Sequence, residues 1–237
     1  MLGPDRGGQR KLPMRIKICG ITTPDDAIMA AEAGADAIGL NFVGGPRRID
    51  IPQAEAILSR LPPFVVPVAL VRLTGPATPE LNEQLAELLA TRWVSHVQVY
   101  GDVTPDAVAR LAWEGYRPIV PIPVRDAGFA RERPAILDKA TAALLDTHDP
   151  NALGGTGRTF TWSWVADARE RRELADWPPI ILAGGLTPEN VARAIAETRP
   201  YGIDVSSGVE DGPGCKSRDK LRRFIAEARK GEGDEAT

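Results

Sequence analysis

The sequence predicts an α/β protein, a single (βα)8 barrel. Three observations carry that expectation. Short β-branched apolar runs alternate with Ala-, Leu- and Glu-rich amphipathic stretches about eight times. A Thr-Pro pair followed by an acidic residue recurs at Thr23-Pro24, Thr78-Pro79, Thr104-Pro105 and Thr187-Pro188. At such a site threonine caps free amides, proline suits the first helical position, and the acid complements the helix dipole. The length, 237 residues, is typical of one such barrel. A doubly wound open sheet would show the same alternation and is the structural alternative.

In chain order, the first strand is RIKIC (15–19), stopped by Gly20, and TPDDAIMAAEAGA (23–35) reads as its helix. The strand DAIGLNF (36–42) precedes the helix PQAEAILSRL (52–61), and VVPVALV (65–71) precedes TPELNEQLAELLATR (78–92). VSHVQVY (94–100), with His96 mid-strand, leads into TPDAVARLAWEG (104–115). RPIVPIPV (117–124) is followed by the weakest helix, because Gly128 and Pro134 interrupt it. TAALLD (141–146), PIILAGG (179–185) and GIDVSSG (202–208) supply the last strands, with helices in 163–177, 187–199 and 217–230. Residues 1–13 and 232–237 lack periodicity and read as flexible tails around one catalytic domain, 14–231.

Bulk properties narrow the function. The net charge of −3 gives no electrostatic footprint for nucleic acid or a membrane surface. No apolar run approaches the ~20 residues that cross a bilayer, and MLGPDRGGQRKLP has no signal-peptide core. Two cysteines, Cys19 and Cys215, make no disulfide framework, so a cytoplasmic protein is expected. His96 and His148 stand far from both cysteines in the sequence, and no metal-ligand spacing is present.

In a barrel, the residues at the C-terminal strand ends make the active site. Cys19 closes the first strand on the same face as Lys17. It is either a small core hydrophobe or a thiol at the mouth of a site. Asp146 follows four apolar residues, where desolvation holds a carboxyl pKa up and suits it to acid catalysis; a capping role is the alternative. Glycine-rich turns stand at 154–157, 183–185 and 206–208. The last two follow the final two strands, the usual phosphate position of such barrels, where backbone amides and hydroxyls can hold an anion. Arg47 and Arg48 after the second strand offer a fork for a carboxylate, or are solvated loop arginines.

The segments KICGIT, GADAIGLNF, GGTGRTFTW, ILAGGLTPENV and DVSSGVEDGPGCKSRDK, in this order, resemble the phosphoribosylanthranilate isomerase family of tryptophan biosynthesis over nearly the whole chain. The resemblance implies a cofactor-free, metal-free Amadori rearrangement of N-(5-phosphoribosyl)anthranilate, with that small phosphorylated molecule as the expected partner and the chain as monomer or homodimer. By position it implies Cys19 as general base and Asp146 as general acid, with Arg47 on the anthranilate carboxylate. It places the phosphate at Gly184, Gly185, Ser206, Ser207 and Gly208, and an active-site loop at Gly155, Thr156 and Gly157. A modest downward shift of the thiol would supply thiolate near neutrality. Three places differ from the family pattern: Tyr100 replaces a histidine, Gly45 a serine, and the third strand runs VALVRLTGP. Two rivals are a related sugar-phosphate barrel isomerase with a different substrate and a non-catalytic phosphometabolite-binding barrel. A histidine-pathway isomerase would carry aspartate where Cys19 stands.

Overall fold

The computed structural model describes residues 13–73, 86, 91, 93–147 and 159–233. Eight parallel strands close into a barrel in chain order, β1 beside β2 and finally β8 beside β1. They are β1 (Arg15–Cys19), β2 (Ala37–Asn41), β3 (Val66–Leu73), β4 (His96–Gly101), β5 (Arg117–Val124), β6 (Ala142–Thr147), β7 (Ile180–Leu182) and β8 (Gly202–Val205). Closure removes every sheet edge, and excludes the open doubly wound alternative. Closing the ring, β1 and β8 pair with Lys17 opposite Asp204.

The helices around it are α1 (Pro24–Ala33), α2 (Ile51–Arg60), α3 (Pro105–Trp113), α4 (Ser163–Glu170), α5 (Val191–Thr198) and α6 (Arg218–Gly233). The Thr-Pro signal works as expected at two of them: Thr23 accepts from the Asp26 amide at 3.1 Å and Thr104 from the Ala107 amide at 3.2 Å. Helix α2 uses a capping box instead, with Asp50 and Gln53 exchanging bonds. At Thr187 the hydroxyl also caps, accepting from the Glu189 amide at 3.2 Å, while Asn190 accepts from the Thr187 amide at 2.8 Å and donates to the Gly185 carbonyl at 2.9 Å. The capped residues form a turn, and the regular helix α5 begins at Val191. The expected helix at 78–92 falls almost entirely outside the described residues, as do the turn at 154–157 and the tail at 1–13 apart from residue 13; of the tail expected at 232–237, residues 232 and 233 still belong to α6 and the rest lies outside.

Other departures have local causes. Between β5 and β6 only a 3-10 turn forms, at Ala135–Leu137, consistent with Pro134 in front of it. The helix expected over 163–177 stops at Glu170, and Arg172 turns left-handed at φ 60°. His96 opens β4 rather than sitting inside it. A two-stranded hairpin, β9 (Glu210–Gly212) and β10 (Cys215–Lys216), interrupts the connection from β8 to α6 and was not foreseen.

Alternation along the strands sorts the core into two parts. Outward rows such as Ala143 and Leu145 pack under the helices, where Ile16, Ile18, Ile57 and Phe224 are fully buried. Inward rows are smaller. Val68, Ile119, Ala142, Leu144 and Ala183 form an apolar cluster inside the ring. Asp146 continues the inward row of Ala142 and Leu144, and Cys19 continues that of Lys17. Among the described residues no helix is long and apolar enough to cross a membrane.

Candidate active site

A cavity of about 410 Å³ lies at the C-terminal strand ends, lined by Cys19, Asn41, Leu70, Gln98, Tyr100, Asp146 and Asp204, with Gly184, Gly185, Ser206, Ser207 and Gly208 among its turn residues. Cys19 and Asp146 come from strands separated by β7 and β8 around the ring. They therefore approach a bound molecule from different sides. Arg47 lines the same cavity, and Arg48 does not. Of the residues singled out in the sequence, Gly155, Thr156, Gly157 and His148 fall outside the described residues; the others gather here except Arg48, His96 and Cys215. Both cysteines are free, Cys19 buried and Cys215 exposed.

The thiol is accommodated by a missing side chain. A Cβ on Gly39 of β2 would stand 2.7 Å from Cys19 Sγ and 3.0 Å from its Cα. Below the thiol, Lys17 donates to both oxygens of Asp204 at 2.9 Å and to Gln98 Oε1 at 3.1 Å. All three are buried, so this polar layer crosses the barrel interior from β1 to β8 and β4. Gln98 in turn donates to the Tyr100 hydroxyl at 2.6 Å. Burial raises the Tyr100 phenol well above its ordinary pKa, so Tyr100 remains a neutral hydroxyl at the cavity wall.

The two candidate proton carriers respond to burial in the same direction. Desolvation raises Asp146 to about 6, against the pull of its bond from the Thr147 amide, and the Asp204 charge adds to the rise. This matches the direction expected for a carboxyl atop a buried strand. Desolvation also raises the Cys19 thiol, opposed chiefly by Lys17 and also by Lys216. The downward shift expected for Cys19 is therefore corrected. In this structure the residue rests as a thiol, because removal of water outweighs the nearby ammonium groups.

The glycine turns owe their shape to close approach. Gly184 has φ 87°, and a Cβ there would collide with the Thr147 hydroxyl and stand 2.9 Å from the Thr147 amide nitrogen. Ser206 Oγ is buried with no hydrogen-bond partner among the described residues, a polar group at the turn that lacks compensation there. Arg47 is already engaged, with Nε 2.9 Å and Nη2 2.7 Å from the two oxygens of Glu210.

Sequence reasoning missed Asp204, Gln98, Glu210 and Lys216. A usable signal existed for the first: a carboxylate inside the apolar strand GIDV, with Lys17 similarly placed in RIKIC. Charges so placed are buried only when paired. Glu210 and Lys216 gave no comparable signal, since a charged residue in a loop is ordinarily solvated.

Comparison with known proteins agrees with this fold. Residues 16–227 match the family model described as N-(5'phosphoribosyl)anthranilate (PRA) isomerase. The N-(5'-phosphoribosyl)anthranilate isomerase of Trichlorobacter lovleyi is 40% identical over 217 residues, covering 91% of this chain and 98% of its own. Monomers derived from the dimeric phosphoribosylanthranilate isomerase of Thermotoga maritima superpose with a TM-score of 0.73 at 31% identity, over 91% of this chain and 98% of theirs. A phosphoribosyl anthranilate isomerase in complex with reduced 1-(o-carboxyphenylamino)-1-deoxyribulose 5-phosphate gives 0.73 at 32% identity, with the same coverage. The chain belongs to the N-(5'-phosphoribosyl)anthranilate isomerase family.

Proposed function

We propose that the chain isomerises N-(5-phosphoribosyl)anthranilate to 1-(2-carboxyphenylamino)-1-deoxyribulose 5-phosphate, a step of tryptophan biosynthesis, with Asp146 as general acid and Cys19 as general base. One observation carries the assignment. A carboxyl with a pKa of about 6 and a buried thiol line one cavity from separate strands, beside glycine turns suited to a phosphate.

The chemistry follows from those two groups. Protonated Asp146 delivers its proton to the furanose oxygen, and the C1–O bond breaks to leave an iminium between the aniline nitrogen and C1. The iminium acidifies the C2 proton, which Cys19 removes as thiolate. The resulting enolamine tautomerises, C1 gaining a proton as the C2 hydroxyl loses one, and becomes the ketone. The developing cation also opposes the cost of burying a thiolate, so proton loss from Cys19 to solvent becomes favourable when substrate is activated. General acid and base should each contribute roughly 10²–10⁴-fold.

Gly184, Gly185, Ser206, Ser207 and Gly208 hold the phosphate, and Arg47 faces the anthranilate carboxylate. Cytoplasmic residence is consistent with the two unpaired cysteines, and the chain acts as a monomer or homodimer, the enzyme of Thermotoga maritima being described as dimeric. The test is direct: purified protein should consume freshly generated phosphoribosylanthranilate, read as loss of its anthranilate fluorescence. Decay no faster than the spontaneous background, from a folded protein, would refute the activity.

A further inference from the structure

We infer that Glu210 is a positioning residue that presents Arg47 to the substrate carboxylate, with Lys216 as the buried counter-charge that holds Glu210 in place. The inference rests on the proposed role of Arg47. It begins with the unforeseen hairpin, in which Lys216 of β10 pairs with Glu210 of β9. The Glu210 side chain is only 3% exposed and the Lys216 side chain fully enclosed. Lys216 Nζ donates to Glu210 Oε1 and to the Cys19 carbonyl, both at 2.6 Å, and to the Ser206 carbonyl at 3.3 Å. One ammonium group thus ties the strand end carrying the thiol, the turn after β8 and the carboxylate that grips Arg47.

Two features give this arrangement a binding role. The first is charge. Arg47 and Lys216 contribute two cations and Glu210 one anion, so this cluster holds one positive charge beyond its own carboxylate. Lys17 and Asp204 cancel each other, and the Asp146 carboxyl, with a pKa of about 6, stands on β6, three strands round the ring from Cys19. An anionic group of the substrate completes the balance. The second is geometry. A guanidinium has five N–H donors in a planar fork. Glu210 takes the side edge, through Nε and Nη2. Nη1 has no partner among the described residues, so the end edge formed by Nη1 and the second Nη2 hydrogen is open to a bidentate carboxylate. The Arg47 stem reaches this pose by lying across Gly20, where a Cβ would stand 2.5 Å from Arg47 Cδ. Lysine cannot serve, because a single ammonium has no two edges to divide between the carboxylates.

A double-mutant cycle between Glu210→Gln and Arg47→Ala tests the inference, reading KM, kcat and the affinity for inorganic phosphate. Each single variant should raise KM about tenfold or more, the scale of one lost charge-assisted contact. For Glu210→Gln, kcat and inorganic-phosphate affinity should change less than about threefold. The double variant should be no worse than Arg47→Ala alone, because Glu210 acts only through Arg47. A raised KM in Arg47→Ala with none in Glu210→Gln would overturn the inference and leave the role of Arg47 standing. An unchanged KM in Arg47→Ala would overturn both. Additive losses would also overturn it, showing a structural role only. If Glu210→Gln does not fold, Arg47→Lys decides: a wild-type KM in that variant overturns the two-edge geometry.

Discussion

Gly39 offers the sharpest perturbation of the thiol, because alanine there adds one methyl group and touches Cys19 before anything else. The added Cβ would stand 2.7 Å from Sγ, 3.0 Å from Cα and 3.3 Å from Cβ of Cys19. Comfortable non-bonded contacts lie at roughly 3.5–4.0 Å, so Sγ must retreat by about 1 Å. A misplacement of ~1 Å at a reacting group costs on the order of 10²-fold in rate. Overpacking costs about 1–3 kcal/mol, and each kcal/mol lowers Tm by roughly 2–4 °C for a chain of this size. The assay is fluorescence decay of phosphoribosylanthranilate beside a thermal melt. Adding Cys19→Ala to Gly39→Ala removes the 2.7 Å contact while the 3.0 Å backbone contact remains. The double variant should therefore melt above Gly39→Ala but below Cys19→Ala. Wild-type turnover and an unchanged melt in Gly39→Ala would refute this placement of the thiol.

Three other outcomes follow from the same geometry. Carboxyl NMR should find Asp146 titrating near 6, raised from 3.8 by burial. The folded state then binds the proton more tightly than the unfolded chain, so this group's contribution to stability falls as pH rises from about 4 to 6; Asp146→Asn should flatten that slope. Gly184→Ala, strained at φ 87° and blocked by Thr147, should weaken inorganic-phosphate binding by about tenfold or more in calorimetry. Lys17→Met leaves Asp204 buried without its cation and should cost roughly 3–5 kcal/mol in urea unfolding.

The fold was legible because its signals are local. Apolar runs of strand length, Thr-Pro caps and glycine stops are each set by a few adjacent residues, and the barrel follows from their repetition. Boundaries failed where a capped turn precedes the regular helix, as at Thr187, whose hydroxyl accepts from the Glu189 amide while α5 begins only at Val191. Cys19, Asp146 and Arg47 could be singled out because strand-end position is itself a sequence property. Their environment could not be. The upward shift of the thiol depends on enclosure by distant strands, and the grip on Arg47 depends on Glu210, 163 residues away. The same holds for Lys17 and Asp204, 187 residues apart yet neighbours across the closure of the ring.

The most direct test of the acid–base assignment compares Cys19→Ala and Asp146→Asn with wild type in single-turnover kinetics. Each would be run beside binding of reduced 1-(o-carboxyphenylamino)-1-deoxyribulose 5-phosphate, the ligand held by a related isomerase. The predicted result is a rate loss of roughly 10²–10⁴-fold in each variant, with the analogue still bound within about threefold of wild type. Near-wild-type turnover in a folded variant would contradict the role of that residue.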